Sequence, residues 1–138
     1  MRFYFTSFQN IPVVNENMYS IARWQDPGFH LPILSFFVSS ISLARCGYNI
    51  DSYINRVQRL FLRRRQAINV WLSGLLPNAE IWLVCKCPNA KVSREQIDKL
   101  GFFVCHGVVV AKYLYGMGYD IECDNDRSNN QWDPKNHS

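Results

Sequence analysis

The sequence predicts a single compact α/β domain, Rossmann-like, with a mostly parallel sheet flanked by helices. Three observations carry this reading. Short aromatic or aliphatic runs at 2–6 (RFYFT), 17–22 (NMYSIA) and 80–86 (EIWLVCK) read as strands. Helical patterns follow the second and third of them, and strands that alternate with helices pair in parallel, with helices on both faces. Finally, 138 residues are enough for one hydrophobic core and too few for two ordinary domains. The domain is expected over 1–123.

The first strand opens the chain and ends at Ser7; the second follows turn signals at Pro12 and Asn15 and ends at Arg23. A loop at 24–30 leads to Pro32, which suits the first turn of a helix running to about Ala44, where Gly47 breaks it. That helix is expected to be largely buried. Asp51 or Ser52 is the expected N-cap of the next helix, whose apolar positions Ile54, Val57, Phe61, Ile68, Trp71 and Leu72 recur at roughly helical spacing. Arg56, Arg59 and Arg63 lie along one flank of it and, with Arg64 and Arg65, form a basic ridge.

Gly74 and Pro77 close that helix, and 80–86, apolar almost throughout, reads as a central parallel strand. Ser93 and Gln96 fit a capping box for a short helix between Pro88 and Gly101. A further helix is expected from about His106 to Tyr115, ended by Gly116 and Gly118, then a short strand at 119–123. From Asp124 the chain is polar and aperiodic and is expected to be a disordered tail.

Apolar residues make up 48% of the chain, which excludes wholesale disorder. The run at 31–44 is too short and too serine-rich to span a bilayer, and residues 1–10 lack the regions of a signal peptide. Five cysteines form an odd set, which fits free thiols in a reducing compartment. A soluble, cytoplasmic protein without disulfides or membrane contact is expected.

Ligands of open α/β sheets gather outside the carboxyl ends of the strands. Ser7, Arg23, the Cys85/Cys87 pair and Cys105–His106 are the candidates there. Cys105 beside a helix N-terminus would have a stabilised thiolate, His106 would act as acid, base or donor, and Arg23 would clamp a carboxylate or phosphate. The alternative is that Cys105 is a small buried apolar residue and His106 a helix cap. Cys85, Cys87, Cys105 and His106 are zinc-type ligands, but their spacing matches no common zinc pattern, and no metal or cofactor is expected. The chain contains no Gly-rich phosphate loop, Gly-x-Ser-x-Gly elbow or His-Glu-x-x-His motif, and its carboxylates are scattered.

In order, YFTSFQNIP, YSIARWQDPGF, WLVCK and FFVCHGVVVAKYLYGMG are similar to the motifs of the domain-of-unknown-function 488 family. That family has an aromatic-Thr-Ser start, a Ser-x-Ala-Arg-x-x-Pro motif, a strand ending in Cys, and a Phe-Cys-His-Arg motif opening a helix. The resemblance covers 2 to about 123, with 30–50 and 88–101 matching in outline. It implies a Rossmann-like domain of bacteria, archaea and their viruses, in which the Ser-Ala-Arg and Cys-His-Arg motifs meet. Here Pro27 falls one place late, and Gly107 stands where the family has arginine. Losing that guanidinium would remove charge-assisted bonds of about 1.5 to 3 kcal/mol each from an anion site. Such divergence suits a viral or mobile-element chain that keeps the scaffold for another purpose.

Two functions follow as expectations. One is a noncatalytic or weakly active binding protein that uses the ridge of Arg56, Arg59, Arg63 and Arg64, with Ser7, to engage a host or cellular protein or a nucleic acid. The alternative is an enzyme acting on a nucleotide-like or other anionic molecule through Arg23, Cys105 and His106.

Overall fold

A computed structural model of the chain describes residues 1–11, 14–86 and 106–122. The helix expected between 88 and 101, the tail from 124, and Cys87, Cys105 and Cys123 lie outside these residues.

Four strands form one parallel sheet: β1 (Arg2–Ser7), β2 (Met18–Ser20), β3 (Glu80–Cys85) and β4 (Asp120–Ile121), in the order β2-β3-β1-β4. The Rossmann-like α/β expectation holds, and β3 is central as its unbroken apolar run requires. Phe3 pairs with Ile81, Phe5 with Leu83 and Ser7 with Cys85, so the period-two repeat of both strands is in phase.

Helix α1 (Ile50–Arg63) begins at Asn49, whose side-chain oxygen accepts from the Ser52 amide at 2.9 Å. Asn49 thus holds the cap expected of Asp51 or Ser52; Asp51 sits in the first turn, where its charge meets the positive end of the dipole. The single helix expected through Leu72 is broken at Arg64, which leaves the helical region, and α2 (Arg65–Ser73) continues from it. Tyr53, Ile54, Val57 and Phe61 from α1 and Ile68 and Leu72 from α2 are buried. Helix α3 (His106–Gly116) adds Val108, Val109, Val110, Ala111 and Leu114 to the same cluster. It stops where Gly118 takes a φ of +93°, letting the Tyr119 amide reach back to the Leu114 carbonyl.

All three described helices therefore pack on one sheet face, and helices on both faces are not found among the described residues. Phe8, Met18, Leu31 and Val84, with Ile11 and Phe29, form a smaller second cluster beside Trp82.

The helix expected from Pro32 to Ala44 is not formed. Ile33 instead pairs with Ser20 beyond the end of β2: the Ser20 amide donates to the Pro32 carbonyl and the Leu34 amide to that of Ser20. Single 3-10 turns at Ser35–Phe37 and Ala44–Cys46 are the helical remnants. Serine explains part of this. Ser39 Oγ takes the Ile41 amide and Ser42 Oγ the Arg45 amide, local bonds that compete with a helical ladder.

The rest of the explanation lies across the molecule. Arg64 Nη1 donates to the carbonyls of Val38 (2.6 Å), Ser35 (3.2 Å) and Phe36 (3.4 Å), and His106 Nε2 bonds the carbonyl of Phe37. Four consecutive carbonyls thus accept from two side chains brought from elsewhere, that of Ser35 also accepting from the Val38 amide at 3.1 Å. Phe37, fully buried, packs edge-on against Phe36, Phe61 and Trp71.

Replacing Arg64 by Ala should lower stability by about 2 to 3 kcal/mol, since it strips three carbonyls of a charged donor. Arg64→Lys, a point charge without the planar fork, should recover only part of the loss. Urea unfolding of the three proteins measures this; an unchanged midpoint for Arg64→Ala would show that the tether does not stabilise the fold.

Candidate functional site

The carboxyl edge of the sheet is closed rather than open. Ser7 and Ser20 are fully buried and Cys85 nearly so. The Ser20 hydroxyl exchanges hydrogen bonds with the backbone of Ala22, which starts the chain's turn away from the sheet. Ser7 Oγ has no hydrogen-bond partner. Its burial keeps it from the surface that carries the arginines.

Arg23 emerges just past this turn and is exposed. Behind it, Gln25 fastens the loop to Leu31 with two bonds, its amide nitrogen donating to the carbonyl at 2.7 Å and its oxygen accepting from the amide at 2.8 Å. The Arg23 guanidinium lies 5.9 Å from the centre of the Trp24 ring, and that ring is 66% exposed. Arg23 and Arg64 line one cavity of about 340 Å³, together with Ile33, Ser35, Val38 and Ser40. Two guanidiniums and two serine side chains border this space.

A second cavity, of about 440 Å³, is lined by Ile41, Arg56, Arg59 and Arg63. The two cavities adjoin along the chain on both sides: Ser40 is followed by Ile41, and Arg63 by Arg64. None of Arg23, Arg56, Arg59, Arg63 and Arg64 meets a carboxylate among the described residues, whose ion pairs include Arg2–Asp120 at 3.6 Å and Lys86–Asp26 at 3.9 Å. Between Ile50 and Ser73 the chain carries five arginines and a single acid, Asp51.

His106 opens α3 as expected, but its ring is turned to the interior. Nε2 carries the proton bonded to the Phe37 carbonyl, an edge contact links the ring to Phe61, and the buried Nδ1 has no partner among the described residues. Burial holds its pKa below the ordinary histidine value and the Arg64 charge pushes the same way, against the opposing pull of the Phe37 carbonyl. A proton on Nδ1 would have no acceptor, so the neutral ring is the form that fits. Arg23 and His106 are therefore joined only through Arg64, which lines the cavity with one and repels a proton on the other. Cys105 lies outside the described residues.

Arg64 is the residue whose place the sequence reading misjudged. Grouped with the ridge, it in fact continues the apolar stripe Val57, Phe61, Ile68, Leu72 at steps of three and four, a position facing the core. That signal was present in the spacing. Trp24 lies against Arg23, which shares a cavity with Arg64. The chain matches no protein-family model, no curated protein and no solved structure.

Because the folded chain holds His106 neutral, this residue should contribute no pH dependence to stability above its unfolded pKa of about 6.5. Below that value the unfolded chain takes up a proton the folded chain refuses, and stability falls. His106→Gln keeps a donor for Phe37 without titrating. The difference in melting temperature between the two proteins should therefore narrow from about pH 7.5 to about pH 5.5, beyond any change common to both. A constant difference would place the ring in an environment that tolerates the charge.

Proposed function

We propose that this protein is a noncatalytic nucleic-acid-binding protein that holds phosphates on the arginine face formed by α1 and the Arg23–Arg64 cavity. One observation carries the reading: five arginines line two adjoining cavities with no carboxylate partner among the described residues. On α1, Arg56, Arg59 and Arg63 stand three and four residues apart, where like charges repel by a few tenths of a kcal/mol per pair, about the size of the gain from an opposite pair. A face that opposes its own helix in this way is accounted for by an anionic partner. Phosphate oxygens are well suited to it, because the guanidinium fork binds them bidentately and phosphate contacts need no sequence readout.

The enzyme reading draws less support. His106 is committed to a structural carbonyl, and its Nδ1 has no hydrogen-bond partner among the described residues. The binding reading stands on the arginines alone and does not depend on the resemblance to the domain-of-unknown-function 488 family, whose Cys-His-Arg charge Gly107 replaces in this chain.

Reversing two charges, Arg59→Glu with Arg63→Glu, should weaken oligonucleotide binding at least about tenfold at low salt. It should also flatten the slope of log affinity against log salt by about two, the number of phosphate contacts removed. Neutralising one, Arg59→Gln, should weaken binding while raising the melting temperature slightly, as relief of repulsion requires. Oligonucleotide binding indifferent to salt and to these substitutions would sink the proposal, and capture of an acidic protein by the same arginines would replace it.

A further inference from the structure

Resting on that reading, we infer that the nucleic acid taken by this face is single-stranded, with a base stacked on Trp24 and its neighbouring phosphate held between Arg23 and Arg64. Phosphates alone do not separate single from double strands. The exposed aromatic does. A duplex offers a groove-bound protein its backbone and base edges, while its base faces are covered by one another. A single strand offers the faces themselves, and an aromatic side chain beside a basic track is the surface that binds them without regard to sequence.

Trp24 meets the physical requirements for such a platform. Two-thirds of its surface is open, and its ring is not among the ring–ring contacts of the core, which use Trp71 and Trp82 instead. Arg23 supplies a cation near the ring at 5.9 Å, a contact that orients the indole. The loop beneath is held by the Gln25–Leu31 pair of bonds and, in its middle, by the Phe29 amide donating to the Asp26 carbonyl. A backbone held in place before binding leaves less freedom to be lost when a base lands on the indole.

The phosphate position follows from the same residue. Arg23 touches the ring on one side and lines the cavity with Arg64 on the other, so base and phosphate contacts fall within one nucleotide's reach. Arg64 cannot swing away, because Nη1 is held by three carbonyls. Ser35 and Ser40 also line the cavity. From there the track continues along α1 through Arg63, Arg59 and Arg56, and about 12 Å of helix separates Arg56 from Arg64. Arg56 reaches Cys46 Sγ at 3.8 Å, and two residues beyond Cys46 stands Tyr48, 75% exposed and at a φ of +58° that a tyrosine rarely adopts. An open aromatic thus follows the arginines at this end as Trp24 does at the other.

The test is fluorescence anisotropy with end-labelled oligo-dT and oligo-rU of about twelve nucleotides, against a mixed-sequence DNA duplex of equal length at one salt concentration. Both single strands should bind about tenfold or more tightly than the duplex. Trp24→Ala should lower single-strand affinity about tenfold and so remove most of the preference, while Trp24→Phe keeps most of it. Intrinsic tryptophan fluorescence should be quenched by oligo-dT in the wild-type chain and much less in Trp24→Phe. Circular dichroism melting of both variants, at so exposed a position, should stay close to the wild type. Equal affinity for single and double strands, with Trp24→Ala affecting neither, would overturn the inference and leave the nucleic-acid reading standing. Failure of all three oligonucleotides to bind would remove both. Preference for one of the two single strands would keep the stacking site and assign its sugar.

Discussion

Four backbone carbonyls in a row, from Ser35 to Val38, set the problem that the rest of this fold solves. They lie in a stretch rich in serine and β-branched residues, which disfavours a helix; of the four residues Phe37 is fully buried, Phe36 and Val38 are half-buried and Ser35 is exposed. A buried carbonyl left without a donor costs about 1 to 3 kcal/mol, so the inward-facing ones among them need partners. Arg64 and His106 supply them. The first comes from the junction of two helices and the second from the start of a third, so one unstructured segment fastens all three described helices to one another.

This solution determines the electrostatics of the surface. Arg64 is needed inside for its donors, but a guanidinium cannot be buried without its charge being felt. On the inner side the charge adds to the burial that holds the pKa of His106 down, and on the outer side Arg64 lines the Arg23 cavity. Its immobility follows from the structural role, and an immobile cation is a better anion ligand than a free one because little side-chain freedom remains to be lost. Structural and binding roles of Arg64 therefore do not compete. Arg56, Arg59 and Arg63 differ in this respect: they are exposed and unpaired with any described carboxylate.

Much of this architecture was legible where one element satisfies its own needs. The unbroken apolar run of β3, the helical spacing from Ile54 to Leu72 and the glycines after α3 each state their structure locally, and each was found within a few residues. Residues 32–44 were misread because a buried apolar run looks alike as helix or as extended chain, and the decision was made by donors 26 and 69 residues away in sequence. The site was legible in the same uneven way. Spacing revealed the ridge, and the rule of strand carboxyl ends led to Arg23. Neither could show that Arg23 and Arg64 share a cavity, because their meeting depends on the segment the carbonyls control.

That dependence also explains why the site lies at the flank of the sheet and not in the crevice where α/β domains usually bind. Ser7, Ser20 and Cys85 end three adjacent strands with small side chains, yet all are buried. Pairing of Ile33 with Ser20 carries the extended chain past the end of β2 and turns residues 34–38 over the helices. With Arg23 projecting from the far side of the Ser20–Ala22 turn, the nearest exposed space is the one between Arg23 and the segment that Arg64 holds. Moving the site outward exchanges an enclosed pocket, suited to a small molecule, for an open track that adjoins α1. In the nucleic-acid-binding reading proposed above, an open track with cations along it and an aromatic near one end suits a long, flexible polyanion better than a compact one, because only a chain can occupy all of its contacts at once.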